Sequence, residues 1–330
     1  MRALVVNEFG SPEVLCLRDF PDPTLGEQDL LIEVHASALN PIDFKIRRGA
    51  LAKNRSFPFV LGFDVSGIIR AVGKEVSGFS PGDAVYASPS LVRNGANAEF
   101  VCVDARTVAP KPQSLDHLHA ASLPLVTLTA WEALYDRVGL DGTETVLVQG
   151  GGGGVGHVAI QLARLRGCRV LATASRNESM QLCLEMGADV VINYREEDVI
   201  QRINQETNGY GCEVVFDCVG GDVFDWSPTC VRANGHMISI AGGGADMSEA
   251  CNKLFVRNAT LHFEMMGVPT MYGVNPEKQG EILRQAAAQV DLGHLRVHVS
   301  RVFDLEQLQE AHSLQEQGHV VGKLALRVLN

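Results

Sequence analysis

Val146-Leu147-Val148-Gln149-Gly150-Gly151-Gly152-Gly153-Gly154-Val155-Gly156 is the stretch whose reading decides the fold. A Val-rich run breaks into glycines, and the chain re-emerges with Val158, Ile160, Leu162, Ala163 and Leu165 at helical spacing over His157 to Arg166. Strand, tight turn and helix in that order make the first half of a βαβ unit. Gly151, Gly153 and Gly156 satisfy G-x-G-x-x-G where the motif requires it, after a strand and opening a helix. Such glycines close the turn, let backbone approach a pyrophosphate, and pack helix tightly on strand. The free N–H groups at the helix start then favour phosphate by roughly 0.3–1 kcal/mol per charge near the surface. Consecutive glycines alone read as a flexible linker. Here they stand between a strand and an amphipathic helix, and the next strand, Arg169 to Ala174, follows Gly167.

Downstream the alternation continues. Strands are expected at Thr145 to Val148, Arg169 to Ala174, Val190 to Asn193, Val214 to Val219, His236 to Ala241 and Thr260 to Met266. Helices are expected at Leu128 to Arg137, His157 to Arg166, Glu178 to Met186, Glu197 to Thr207 and Gly221 to Val231. Six strands with helices between them predict a doubly wound parallel α/β sheet, with its ligand crevice at the carboxyl ends of the strands. Upstream the character differs. Short β-runs at Leu30 to Ala36, Val65 to Val72, Ala84 to Ala87 and Ala98 to Val103, with turn signals such as Pro81-Gly82-Asp83, predict a mainly antiparallel domain nearly without helices. After Pro276 come two helices, Lys278 to Val290 and Leu305 to Gln317, and a strand at Leu324 to Leu329 preceded by Gly322-Lys323. The expected domains are residues 124–268 for the nucleotide fold and residues 1–123 with 269–330 for the other.

Composition bounds the function. The chain has 330 residues, enough for two cores, and is 46% hydrophobic and 20% charged with 33 glycines, as in a glycine-punctuated α/β enzyme. A net charge of −11, with only the short Lys45, Arg47, Arg48 group of cations, argues against nucleic-acid or anionic-membrane partners. The N-terminus opens directly as a short strand, and no apolar run approaches a bilayer span, so a soluble, cytoplasmic protein is expected. Eight scattered cysteines without a C-x-x-C pair suit reduced, mostly buried thiols and give no support to structural zinc. His117, His119, His294 and His298 read as surface or loop residues.

The end of the second strand selects the nucleotide. In NAD sites a carboxylate stands about 20 residues after the glycine turn to take the ribose hydroxyls. Here Ala174, Ser175, Arg176 and Asn177 occupy that place, with no acid. A hydroxyl beside a guanidinium donates to a 2′-phosphate that a carboxylate would repel, which predicts NADPH over NADH; Arg176 as a solvated cation at a helix start is the plainer alternative.

These features resemble the medium-chain dehydrogenase/reductase superfamily, in its zinc-free quinone oxidoreductase (zeta-crystallin-like) branch, over essentially the whole chain. Four blocks carry the resemblance: Asn40-Pro41-Ile42-Asp43, Leu61-Gly62-Phe63-Asp64-Val65-Ser66-Gly67, Gly153-Gly154-Val155-Gly156 with Gln161, and Asp217-Cys218-Val219-Gly220-Gly221. Gly151 and Gly152 replace the Ala or Ser residues usual before the turn. The resemblance implies a Rossmann domain beside a mainly β GroES-like catalytic domain. Zinc alcohol dehydrogenases carry Cys at the position of Asn40, His-Glu at Phe63-Asp64, and a four-cysteine lobe missing here, so no metal is expected. The family further implies that Asn40 and Thr129 lie near the nicotinamide, that Gly153, Gly154 and Val155 meet the pyrophosphate, and that Ser175, Arg176 and Tyr194 surround the 2′-phosphate and ribose. Cys218, Val219 and Ala241 would line the groove at later strand ends, although core packing explains Cys218 and Val219, and strand-end amphipathicity Tyr194, equally simply. Lys45 stands where many quinone reductases have Tyr, and the Asp-x-Lys pattern is similar to alkenal/enone reductases; a salt bridge to Asp43 or plain solvation is the other reading.

The expected reaction is transfer of a hydride from NADPH to a quinone or to the activated double bond of an α,β-unsaturated carbonyl, with Lys45 or Asn40 stabilising the negative oxygen. A non-catalytic NADPH-binding or redox-sensing protein, or an enoyl-thioester reductase, shares the glycine signals. A homodimer is expected through the apolar strand Thr260 to Met266, by pairing of the last strand of the nucleotide sheet.

Overall fold

The computed structural model describes residues 1–51, 53 and 55–329. The chain falls into two units: Thr129–Met266 with His294–Arg296, and Met1–Leu128 with Gly267–Gly293 and Val297–Asn330, whose last residue lies outside the described set. The change of character expected at Leu123 coincides with the start of a helix, and the division by packing falls inside that helix, after Leu128.

The unit that begins the chain carries strands β1 (Arg2–Val6), β2 (Leu15–Asp19), β3 (Asp29–Leu39), β4 (Phe59–Val60), β5 (Val65–Val72), β6 (Ala84–Ala87), β7 (Phe100–Asp104) and β8 (Ala109–Pro110). Helix α1 (Pro41–Arg47) follows β3, α2 (His117–Ala121) follows β8, and α3 (Pro124–Trp131) leads out of the unit. The expectation that helices are nearly absent here misses α1, which is short but well founded. Pro41 occupies the first turn, where its missing N–H costs nothing, and Asn40 with Asp43 forms a capping box. Leu30, Ile32, Val34, Val65, Ile69, Val85, Val101 and Val103 make the core of the antiparallel β3–β5–β6–β7 sheet, each almost fully buried and worth about 1.5–3 kcal/mol of transfer energy.

The nucleotide unit holds β9 (Thr145–Gln149), α4 (Gly154–Leu165), β10 (Arg169–Ala174), α5 (Asn177–Glu185), β11 (Val190–Asn193), α6 (Val199–Glu206), β12 (Cys212–Asp217), α7 (Asp222–Trp226), β13 (Val231–Ser239), α8 (Met247–Phe255) and β14 (Thr260–Phe263). All six strands are parallel, in the order β11-β10-β9-β12-β13-β14. That is the doubly wound Rossmann arrangement. Several elements differ from the sequence reading, three of them instructively. Strand β12 stops at Asp217, because its carboxylate captures the N–H groups of Val219 and Gly220, both at 2.9 Å. The helix expected over Gly221 to Val231 ends at Trp226, since Pro228 starts a 3-10 turn and β13 begins at Val231. Helix α8, which follows the loop Gly242-Gly243-Gly244, was hidden by those glycines. The return to the first unit supplies α9 (Val268–Tyr272), α10 (Glu277–Asp291), β15 (Val299–Asp304), α11 (Leu308–Glu316) and β16 (Lys323–Arg327), which pairs antiparallel with β3.

Candidate active site

In the nucleotide unit the glycine turn is built by close contacts. Gly150 has φ +69°, its N–H donates to Thr173 Oγ1 at 3.0 Å, and the Gly151 N–H donates to Thr173 O at 2.9 Å. A Cβ on Gly151 would lie 2.8 Å from both Ala172 Cβ and Cys183 Sγ, and one on Gly152 2.6 Å from Ser179 Cβ. Both glycines that replace the usual Ala or Ser are therefore sterically required in this chain. Gly153 caps α4 in an extended conformation without a side-chain cap, and Gly153, Gly154 and Val155 are partly exposed. The first amides of a twelve-residue helix thus face outward without a capping side chain, as an anion site requires.

The neighbouring strand ends complete this region. Ser175 and Arg176 are half-buried after β10, and the Arg176 N–H donates to Ser179 Oγ at 3.1 Å as α5 begins. Because Ala174 pairs with Asn193, Tyr194 emerges beside them, 50% exposed, with its N–H donating to Ala174 O at 3.3 Å. Arg195, which the sequence reading passed over, is exposed at the same strand end, as a second cation directly after Tyr194. Val219, half exposed, lies over the turn: a Cβ on Gly150 would come within 2.9 Å of its Cγ2. Cys218 is half-buried beside it, and Ala241 follows β13, where a Cβ on Gly220 would meet its Cβ at 2.8 Å. The structure therefore gathers Gly153, Gly154, Val155, Ser175, Arg176, Tyr194, Cys218, Val219 and Ala241 at the carboxyl ends of β9 to β13. Thr129 is buried in α3, at the other end of this unit's sequence.

In the other unit Asn40 sits in a buried polar network. Its backbone N–H donates to Asp43 Oδ2 at 2.9 Å, while Asp43 Oδ1 accepts from the Gly62 N–H at 3.0 Å. Its carboxamide Nδ2 donates to Asp64 Oδ2 at 2.8 Å, and its Oδ1 accepts from Lys323 Nζ at 2.5 Å. Lys323 also donates to Leu39 O at 3.0 Å and to Asp64 Oδ2 at 3.1 Å. The Leu125 N–H meets Asp64 Oδ1 at 2.7 Å. Burial pushes the Asp43 carboxyl up to about 7 against the pull of its two amide donors. Burial likewise raises Asp64, and the Lys323 ammonium opposes it. Lys45 is exposed on α1 and lies outside this network, and among the described residues no ion pair joins it to Asp43.

Phe63, fully buried beside Asp64, carries a cation on its face: the Arg55 guanidinium is 5.7 Å from its ring centre and 4.7 Å from that of Phe59. Sequence reasoning missed Arg55 and Lys323. The one available signal for the latter was the Gly322-Lys323 pair before the last strand. Among the described residues no three His, Cys, Asp or Glu side chains are grouped so as to hold a metal. His117 Nδ1 pairs with Ser66 Oγ at 2.8 Å and His119 Nδ1 with Asp116 at 2.8 Å. No helix among the described residues is long and apolar enough to cross a membrane.

Two family models match the chain: the alcohol dehydrogenase GroES-like domain over residues 26–113, and the zinc-binding dehydrogenase over residues 186–326. Human quinone oxidoreductase is 31% identical, with 94% of this chain and 93% of that protein covered. A zinc-type alcohol dehydrogenase-like protein of Staphylococcus epidermidis is 32% identical over 94% of this chain and 93% of its own. A mycobacterial structure solved in complex with NADPH superposes with a TM-score of 0.89 at 31% identity, covering 99% of this chain and 100% of that one.

Proposed function

Because the chain belongs to the medium-chain dehydrogenase/reductase superfamily, among its quinone oxidoreductase-like members, we propose that this oxidoreductase uses NADPH, without zinc, to reduce quinones or the activated double bond of α,β-unsaturated carbonyls. The single observation that carries the proposal is the uncapped start of α4 beside the end of β10, where Ser175 and Arg176 stand and no carboxylate does, with Tyr194 and Arg195 at the neighbouring end of β11. When bound, the dinucleotide supplies the hydride. The chain supplies the rest: amides of Gly154 and Val155 for the pyrophosphate, a hydroxyl and a guanidinium for the 2′-phosphate, and Val219 and Ala241 as apolar walls. Asn40, buried and firmly held, offers an amide N–H to the oxygen that gains charge during reduction. Lys45 is assigned a second, outer cation's role.

A zinc ion does not suit the residues present. Zinc needs about four N, S or O donors converging in a tetrahedron. Asn40 Oδ1 is taken by an ammonium, Phe63 has no donor atom, and both Asp64 oxygens are engaged by Leu125, Asn40 and Lys323. No step is therefore routed through a metal.

The deciding experiment offers the purified protein NADPH with a panel of quinones, short enals and enoyl thioesters and follows the nicotinamide absorbance. Oxidation with quinone or enal is expected. Binding without turnover on any acceptor would instead make this a sensor, and turnover confined to thioesters an enoyl-thioester reductase. Ser175→Asp with Arg176→Ala is expected to shift the kcat/KM ratio at least about tenfold toward NADH, since about 1.4 kcal/mol suffices. Lys45→Met is expected to slow enone turnover, and unchanged turnover would strip Lys45 of its part. A second copy of this chain is the proposed partner, paired along the open edge of β14.

A further inference from the structure

Asn40 is gripped by groups that lie far apart in the chain. Lys323 is only 2% exposed, and its three ammonium hydrogens are matched by three acceptors: Leu39 O, Asn40 Oδ1 and Asp64 Oδ2. A saturated ammonium has no hydrogen left for a substrate, so Lys323 acts only through what it holds. The carboxamide is held in one sense: its oxygen faces the cation and its nitrogen faces the carboxylate, and the reverse would set like partial charges against both. One Nδ2 hydrogen goes to Asp64, and one remains. Asp64, fully buried, is itself anchored by the Leu125 N–H at 2.7 Å, so neither member of the pair can swing to meet a different amide orientation.

We propose that Lys323, paired with Asp64, is a positioning residue for hydride transfer, fixing the Asn40 carboxamide so that its remaining N–H is presented to the reacting oxygen; this rests on the assignment of Asn40 above. The ion pair sits where the chain lacks a metal's donor set, and the rigidity that ligation gives to side chains comes here from a salt bridge within the protein. A lysine alone at such burial would be costly, and an aspartate likewise, so the two stand or fall together.

The test is a double-mutant cycle at saturating NADPH with a quinone acceptor, comparing parent, Lys323→Met, Asn40→Ala and the double variant, with NADPH affinity followed by fluorescence titration and folding by thermal melt. Lys323→Met is expected to lower kcat by about 10- to 100-fold, the scale of a small misplacement of a catalytic group, with NADPH affinity unchanged. In the Asn40→Ala background the same substitution is expected to change kcat by less than about twofold. Equal losses in both backgrounds, or none in either, would overturn the positioning role and leave the Asn40 assignment standing. An Asn40→Ala protein as fast as the parent would overturn that assignment and this inference with it. Should Lys323→Met not fold, Lys323→Met with Asp64→Asn removes both charges together and takes its place in the same cycle.

Discussion

A Cβ on Gly156 would sit 2.3 Å from Gly150 O and 2.8 Å from Gly151 Cα, whereas one on Gly153 meets nothing nearer than 3.3 Å. The two motif glycines thus have different jobs. Gly156→Ala forces backbone apart and is expected to destabilise the protein by about 1–3 kcal/mol, the usual cost of overpacking. Gly153→Ala is expected to cost far less in the melt, since its extended backbone suits any residue and Gly150 O need give by only a few tenths of an ångström, and to lose NADPH affinity where its methyl meets the approaching phosphate. Thermal melts and cofactor titrations of the two variants separate these effects. Away from the nucleotide, His312 is 1% exposed with neither ring nitrogen hydrogen-bonded, and burial, aided by Arg47, pushes its pKa down to about 3. Between pH 6.5 and about 3 the unfolded chain binds a proton at this residue that the folded chain refuses, so stability falls on acidification by up to about 1.4 kcal/mol per pH unit. His312→Leu is expected to flatten that part of the stability–pH curve measured by urea unfolding. The glycine turn was legible because its glycines stand in one short run between a strand and a helix. Lys323 and Asp64 are 259 residues apart, and no local pattern marks an ammonium that will be buried against a carboxylate.

Periodicity found the parallel strands and their helices because each packs one complete apolar stripe or run onto a single core. It failed where a side chain, not a pattern, sets the boundary. Asp217 ends β12 by capturing two amides, Pro228 converts a helix into a 3-10 turn, and α1 is specified by Pro41 and the Asn40–Asp43 box rather than by hydrophobic spacing. Strand β14 ends early too, at Phe263 instead of Met266. Among the described residues that strand pairs with β13 alone, which leaves its other edge of backbone donors and acceptors open, next to Phe263 at 49% and Met265 at 40% exposure. An uncovered edge flanked by apolar side chains is a template for another strand. With a second copy as the proposed occupant, Phe263→Glu is expected to weaken self-association by at least about tenfold while the melt of the monomer changes little, since the replaced ring is half in water. Analytical ultracentrifugation over a concentration series reads this. A parent protein monomeric throughout would rule out the second copy as that occupant.

For the chain as a whole, the alternation of β-runs and βα units announced two domains, the first of them already expected in two pieces; what no window of sequence reveals is that the nucleotide unit is discontinuous as well. After leaving the nucleotide unit at Met266, the chain returns to it for three residues only, His294–Arg296. Leu295 and Gln161 are two of the anchors of that return, beside the Arg296 guanidinium, which donates to Glu185 O at 2.9 Å. Leu295 is 1% exposed, and Gln161, on α4, grips the backbone of Arg296 from both sides: its Oε1 accepts from the Arg296 N–H at 2.8 Å, and its Nε2 donates to Arg296 O at 2.8 Å. A side chain so used behaves as a one-residue strand partner. Gln161→Leu keeps the volume and removes both bonds to Arg296, together with the Nε2 bond to His157 O within α4, a carbonyl that keeps its place in the helix. Because Arg296 is exposed, water can replace part of what is lost, so the expected cost is about 1–2 kcal/mol, the net worth of two ordinary hydrogen bonds and not the larger penalty of two buried unpaired groups. Leu295→Ala, which empties a buried site, is expected to cost more, about 2–5 kcal/mol. Hydrogen exchange tells the two anchors apart: Gln161→Leu should speed exchange at the Arg296 amide with little change elsewhere in α4, whereas Leu295→Ala should lower the global melt. If the Arg296 amide keeps its protection without Gln161, the return segment is held by its other anchors, Leu295 and the Arg296–Glu185 bond among them.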